Sequence, residues 1–308
     1  MFSLRYYFMR KTPGTYRPVI LITGCSSGLG AATADLLYER TNYKLVVTAR
    51  KSSLDQLHVR FKESDRLWIR PLDVTCTEER HTLVREIEEK WRGVDILINN
   101  AGISYRAVVE HMSEDEELHQ MNTNYFGPVA LIREVLPHMR DQGRGKIINV
   151  SSVSGMLAMP TMASYSASKY ALEGLSESLW YESKPFGINV SLVQPGFIRS
   201  NSFKKVYYSR MSRVESQTDG TYSDFYKYMT PFIERLMSLS LTNPEVIASL
   251  ILKIVRTQDP PLWIPASLDA WVFYYLRRLV PRRWLMPLLF YALPGARHWG
   301  EKHTHRRR

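Results

Sequence analysis

The chain has 308 residues, 44% of them hydrophobic and 23% charged, a balance that excludes disordered, collagen-like and coiled-coil architectures and suffices for a full buried core. Two cysteines, Cys25 and Cys76, exclude a disulfide scaffold and fit a reducing, cytoplasmic compartment. The formal net charge of +11 lies at the two ends: residues 1–17 carry +4, residues 270–308 carry +8 and the stretch between them −1, so a nucleic-acid-binding face on the body is not expected.

Residues 1–17 form a basic extension without the long apolar stretch of a secretory signal. From residue 18 the pattern alternates. Strands are predicted at 18–23 (PVILIT), 44–48 (KLVVT), 67–71 (LWIRP), 94–98 (VDILI), 146–150 (KIINV), 189–193 (NVSLV) and 262–264. Most are near-continuous runs of Val, Ile and Leu, as strands buried on both faces should be. Helical spacing is predicted between them at 29–40, 54–62, 78–91, 114–140 and 162–183. Such βα repetition implies one α/β domain over 18–266: a doubly wound, Rossmann-type parallel sheet with helices on both faces. Ligands of such sheets bind beyond the carboxyl ends of the strands. After Gly196 the rhythm breaks. Residues 197–242 read as a substrate-loop insertion rich in Tyr and Met, and another helix starts at Asn243-Pro244-Glu245. The segment 267–308 is helical, basic and aromatic, with interruptions expected at Pro281, Pro287 and Pro294.

The first strand runs into Thr23-Gly24-Cys25-Ser26-Ser27-Gly28-Leu29-Gly30. Glycines at 24, 28 and 30 allow a tight turn and close approach of a pyrophosphate, whose charge the amides of the following helix can receive. The residues from Gly24 through Ser26, Ser27, Gly28 and Leu29 to Gly30 are therefore candidate cofactor contacts. The second strand ends in Thr48-Ala49-Arg50-Lys51, where an acidic partner for a ribose 2′-hydroxyl is absent. Arg50 and Lys51 suit a 2′-phosphate, which favours NADP(H), with NAD(H) as the alternative.

Three motifs fall at later strand ends: Asn99-Asn100-Ala101-Gly102, Ser151-Ser152 and Tyr165-Ser166-Ala167-Ser168-Lys169. Tyr165 and Lys169, four apart, share one helical face. A tyrosine with an ordinary pKa of about 10 is a poor base at neutral pH, and an ammonium beside it favours the phenolate. Ser152, thirteen positions earlier, is positioned to bond the substrate oxygen. No metal site is expected, because the eight histidines are scattered and form no ligand motif.

Together, Thr23–Gly30, Asn99–Gly102, Ser152, Tyr165–Lys169 and Pro195-Gly196 resemble the short-chain dehydrogenase/reductase family over roughly residues 18–200. The resemblance implies an oxidoreductase that interconverts an alcohol and its carbonyl. It also implies a catalytic tetrad of Asn124, Ser152, Tyr165 and Lys169, the first from Asn124-Tyr125-Phe126-Gly127 and serving to hold a water behind the lysine. Asp73 matches the residue that approaches the adenine. Asn100, Ala101, Gly102, Tyr165 and Lys169 match cofactor contacts, as do Pro195, Gly196 and Ile198 beside the nicotinamide. The family's usual threonine after Pro-Gly is Ser200 here. Assembly as a homodimer or homotetramer is also implied.

Met156, Leu157, Met159 and Met162, with the aromatics and methionines from Tyr207 to Phe232, suit a large apolar ligand, and the branch resembled acts on hydroxysteroids, retinoids and lipid alcohols. Two alternatives stand beside this reading: packing of a lid onto the body, and a reductase of small polar carbonyls. A third is a cofactor-binding sensor without turnover. Aromatic residues interleaved with Arg277, Arg278, Arg282 and Arg283 fit peripheral contact with an anionic membrane surface; a solvated tail, a lid or a dimer contact is the competing reading.

Overall fold

The sheet is built outward from β1 (Val19–Ile22), flanked by β2 (Lys44–Ala49) and β4 (Ile96–Asn99). In a computed structural model, which describes residues 16–199 and 206–299, β3 (Leu67–Pro71) extends the sheet beyond β2. On the other side β6 (Gly145–Val150), β7 (Ile188–Gln194) and β9 (Trp263–Pro265) follow β4. The order is β3-β2-β1-β4-β6-β7-β9, and every pairing is parallel. The order reverses between β1 and β4, which opens a crevice at their carboxyl ends. Most of residues 1–17, Ser200 and the tail 300–308 lie outside the described residues.

Alternation along each strand feeds two cores. Ile20, Ile22, Leu45, Val47, Ile96 and Ile98 face one layer, with Ala34 and Leu37 of α1 (Gly28–Arg40) and Ile247 and Ile251 of α9 (Pro244–Arg256). Val19, Leu21, Val46, Leu97 and Ile147 face the other. There they meet α3 (Thr77–Trp91), α5 (Gly127–Gln142) and Leu179 of α6 (Ala163–Ser183). Nearly all of these side chains are fully buried, which explains why the strands read as unbroken apolar runs rather than alternating ones.

Two predicted helices differ. The span 54–62 shortens to α2 (Asp55–Arg60), preceded by a 3-10 turn at Lys51–Ser53. The span 114–140 is three pieces: α4 (Glu114–Met121), a π-helical turn at Asn122–Phe126, and α5. Pro128 has no N–H to give the carbonyl of Asn124, so the regular i→i−4 ladder cannot pass through. Gly127 N–H instead reaches back five residues to Asn122 O. Such single-turn π segments are frequent at functional sites, and this one carries Asn124.

The 197–242 insertion contains β8 (Tyr207–Tyr208), α7 (Arg210–Glu215) and α8 (Ser223–Leu239). β8 pairs with the short β5 (Tyr105–Arg106) beside the crevice. Then come α10 (Leu268–Leu279) and α11 (Arg282–Ala292). Pro281 does separate these helices, whereas Pro287 lies inside α11 without breaking it.

Candidate active site

The crevice is a cleft of about 1460 Å³, larger than the ~300–1,000 Å³ of a typical small-ligand site, so it has room for a dinucleotide and a second ligand. Gly24, Ser26, Ser27, Gly28, Leu29, Gly30, Arg50, Asp73, Asn100, Ala101, Gly102, Ser152, Tyr165, Lys169, Pro195, Gly196 and Ile198 all line it. Asn124 does not; it lies fully buried immediately behind.

The glycine turn is braced from below. The Thr23 hydroxyl accepts N–H groups of Asn100 and Ala101, both at 3.0 Å, and the Asn100 amide donates to Thr23 O and Gly24 O at 2.9 and 3.1 Å. A Cβ on Gly30 would overlap Gly24 O and the Asn100 amide, which accounts for glycine at that position. At Gly28 (φ 59°) a Cβ would meet nothing within 4 Å, so the turn opens there. The Ser27 side chain does not cap the start of α1, whose first turn holds no acid. A pyrophosphate fits this arrangement of small residues and helix-end amides. Cys25, in the middle of the turn, is fully buried, and burial pushes its thiol up to about 12, so it is inert.

At the end of β2, Arg50 is exposed on the cleft rim. Lys51, paired with it in the sequence reading, is turned elsewhere: its ammonium bonds Glu79 at 3.0 Å and it does not line the cleft. Asp73 spends one carboxylate oxygen on the N–H and hydroxyl of Thr75, at 2.9 and 2.7 Å. Ser53 and Arg60, the latter ion-paired with Asp35, join the same rim.

The four residues expected to form the catalytic tetrad come from β6, α6 and the π-helical turn. Ser152 follows β6, and its Oγ accepts Ser154 N–H at 3.1 Å. Tyr165 sits in the first turn of α6 with Lys169 one turn on, the ammonium 5.8 Å from the phenol ring centre. Lys169 is 4% exposed and donates to Val150 O at 2.9 Å. Asn124 Oδ1 accepts Ile103 N–H at 2.9 Å, while its amide donates to Ile103 O at 2.9 Å and Ser168 Oγ at 3.0 Å. Asn124 and Lys169 converge on Gly102, whose Cβ would lie 3.3 Å from Asn124 Oδ1 and 3.7 Å from Lys169 Nζ. Burial lowers Lys169 to about 8, opposed by the negative charge of Glu173. Burial also raises Tyr165 above the ordinary tyrosine value, against hydrogen bonding with Ser152 and the positive charge of Arg106.

Several contributing residues were not singled out from the sequence. Glu173, one turn beyond Lys169, accepts from Ser151 Oγ and Gln194 Nε2, both at 2.9 Å, and its helical spacing from Lys169 was the available signal. Arg106, 9% exposed, lines the cleft near Tyr165. Ser267 and Asp269 clasp the Pro195-Gly196 turn: Gly196 N–H donates to Ser267 Oγ at 3.0 Å and Phe197 N–H to Asp269 Oδ2 at 2.7 Å. Of the predicted apolar lining, only Met159, Met162 and Tyr207 face the cleft. Met156 packs beneath Ala270, Phe225 stacks on Trp299, and Tyr226 bonds His111 Nδ1 at 2.8 Å. For most of the insertion, the lid-packing reading holds.

Residues 18–210 match the short chain dehydrogenase family. The chain belongs to the short-chain dehydrogenase/reductase family. It is similar to a 3-ketodihydrosphingosine reductase of Bacteroides thetaiotaomicron, with 37% identity over 79% of this chain and 85% of that protein. It is also similar to human 17-beta-hydroxysteroid dehydrogenase type 1, with 30% identity over 80% of this chain and 76% of the relative. A solved short-chain dehydrogenase from Streptomyces avermitilis superposes with a TM-score of 0.71 at 32% identity, covering 84% of this chain and 92% of its own. This dehydrogenase/reductase is accordingly an NAD(P)-binding oxidoreductase acting on hydroxyl and carbonyl groups.

A buried ammonium has a thermodynamic signature. Relative to the unfolded chain, where lysine titrates near 10.5, the shift to about 8 destabilises the fold by on the order of 3 kcal/mol below pH 8. That penalty fades as the pH rises from 8 to 10.5. Lys169→Met, apolar and of similar size, loses the bond to Val150 O, worth ~1 kcal/mol, but removes the larger penalty. Thermal melts at pH 7 should show an unchanged or higher Tm, with the advantage shrinking towards pH 10. A Tm lowered by several degrees at pH 7 would show that the lysine stabilises the fold.

Proposed function

We propose that this enzyme interconverts a lipophilic alcohol and its carbonyl with NADP(H), using Tyr165 as the proton-transferring group. The observation that carries this reading is that Tyr165, Lys169 and Ser152 line one cleft together with Arg50, with Asn124 buried immediately behind Gly102 and Lys169. A bound nicotinamide supplies the hydride acceptor for oxidation or donor for reduction. Tyr165 gives its proton to the substrate oxygen in reduction and takes it back in oxidation. Ser152 donates a hydrogen bond to the same oxygen. The ammonium of Lys169 lowers the cost of the phenolate, and Asn124 fixes the Ile103 backbone beside that ammonium. A cofactor-binding sensor would have no need of this proton path, which favours turnover.

The preference for NADP(H) rests on Arg50. A guanidinium at the end of β2, with no acid at that position, complements a 2′-phosphate and offers no acceptor for a 2′-hydroxyl. The substrate reading rests on a wall formed by Ile103, Met159, Met162, Phe197, Ile233 and Met237. Arg106 adds one buried positive charge near Tyr165. An apolar body with a neutral or anionic polar end suits this chamber, and a cationic amine beside the reacting carbon does not.

Two measurements test the reading. NADPH should exceed NADH in kcat/KM, and Arg50→Asp should shrink or reverse that ratio; an unchanged ratio in the variant means the ribose pocket lies elsewhere. NADPH oxidation against steroid, retinoid, long-chain and short polar carbonyls should favour the lipophilic members, and among matched chains a carboxylate over an amine. Arg106→Met should abolish the carboxylate-over-amine preference. Preference for short polar carbonyls would overturn the substrate class, and no turnover on any member would favour the sensor.

A further inference from the structure

Helix α10 carries its apolar stripe on the outside. Leu268, Trp271, Val272, Tyr275 and Leu279 follow the i, i+3, i+4, i+7, i+11 spacing of a single helical face, yet each is 45–76% exposed. The opposite face makes the contacts with the body: Ala270 is buried, and Phe273 and Tyr274 pack against Val153 and Met156. α11 repeats the arrangement. Leu285 is buried while Trp284, Leu288 and Tyr291, again on one face, are 60–66% exposed. An ordinary surface helix turns its apolar stripe inward, and contiguous exposed patches of this kind mark interaction surfaces.

The charge around this face selects the partner. Arg278, Arg282 and Arg283 are exposed at the junction of the two helices, and residues 270–308 carry nine Lys/Arg against Glu301 alone. The guanidiniums of Arg278 and Arg283 lie over the rings of Tyr274 and Trp284, 3.5 and 5.0 Å from their centres. Aromatic rings beside arginines are suited to the headgroup layer, where the rings sit at the interface and the guanidiniums meet phosphate. A second copy docked face to face would instead bring two strongly positive segments together. No single described helix is long and apolar enough to cross a bilayer, so the pair would lie on it. The bent pair α8 and α9 is apolar as well, but α9 spends its apolar face on the core with α1.

We propose that the outer face of α10 and α11 docks on the surface of an anionic lipid bilayer. This contact would be mechanically joined to the cleft. The first turn of α10 holds Gly196 N–H through Ser267 and Phe197 N–H through Asp269, and Phe197 lines the cleft. A hydrophobic substrate dissolved in the bilayer would then leave it beside the pocket wall. The docking itself does not depend on the substrate reading.

Sedimentation of the full-length chain with sucrose-loaded vesicles tests the proposal. At low salt the protein should pellet with phosphatidylcholine–phosphatidylserine vesicles and remain mostly in the supernatant with phosphatidylcholine alone. Trp271→Gln, Leu279→Gln and Leu288→Gln together should reduce the bound fraction about tenfold or more, because each removes an exposed apolar side chain from the interface. Arg282→Glu with Arg283→Glu, a change confined to exposed charges, should abolish the preference for phosphatidylserine. Circular dichroism melts matching the wild type certify both variants, and if the glutamine variant does not fold the charge-reversed one decides alone. A wild-type chain that stays in the supernatant with both vesicles, binding indifferent to phosphatidylserine, or a dimer that the glutamine variant converts to monomer would each overturn it.

Discussion

One buried ammonium group organises the end of the cleft where the candidate catalytic residues gather. Lys169 is taken out of water at the carboxyl end of β6, where Val150 O receives it, and the surroundings are arranged around that charge. Tyr165 lies one turn below on α6, Asn124 holds the Ile103 backbone opposite, and Gly102 leaves the space in which these meet. Burial of a lysine without a full ion pair is costly, which is why it pulls Lys169 down to about 8. The sheet meets this cost. Two deep apolar layers hold β1, β4 and β6 in register, so their ends can carry polar groups that contribute little to packing. Such concentration of unfavourable terms at a site, offset elsewhere, is usual for functional regions.

The same logic extends to the C-terminal helices. Gly196 has no room for a Cβ because the Asp269 carboxylate occupies that space, so the turn after β7 and the start of α10 are built as one unit. Glu173 ties Ser151 to Gln194 beneath the floor of the cleft, joining β6, α6 and β7. Movement of α10 would therefore be felt both at the Pro195-Gly196 turn and at Val153 and Met156, just after Ser152.

What the sequence made legible follows from which interactions are local. Strands β1, β2, β4, β6 and β7 were readable because burial on both faces writes itself as runs rich in Val, Ile and Leu, and the edge strand β3 because buried Leu67 and Ile69 alternate with half-buried Trp68 and Arg70. The glycine turn and Tyr165–Lys169 were readable because their spacing is fixed by a turn and by one helical repeat. The break at Asn122–Phe126 was concealed by good helical periodicity on both sides, although Gly127-Pro128 was the signal for it. Lys51 was misread because Arg50 and Lys51 look equivalent in sequence, while the chain turns into a 3-10 helix and directs one of them to Glu79. The aromatics of the insertion could not be divided between lid and pocket, since that depends on tertiary partners such as His111 and Trp299. Arg106 and Asp269 act through space, on groups 59 and 72 residues away, and no local pattern marks them.

In the proposed mechanism a buried phenol, held above its ordinary pKa in the free enzyme, becomes a working base through neighbouring positive charge. Titration by NMR of protein labelled at tyrosine Cζ reports this directly, with the resonance missing from Tyr165→Phe assigned to Tyr165. The expected pKa lies above the ordinary tyrosine value of about 10 in the free enzyme and falls below it when NADP⁺ is bound. A Tyr165 resonance whose titration is the same with and without NADP⁺ would rule this mechanism out.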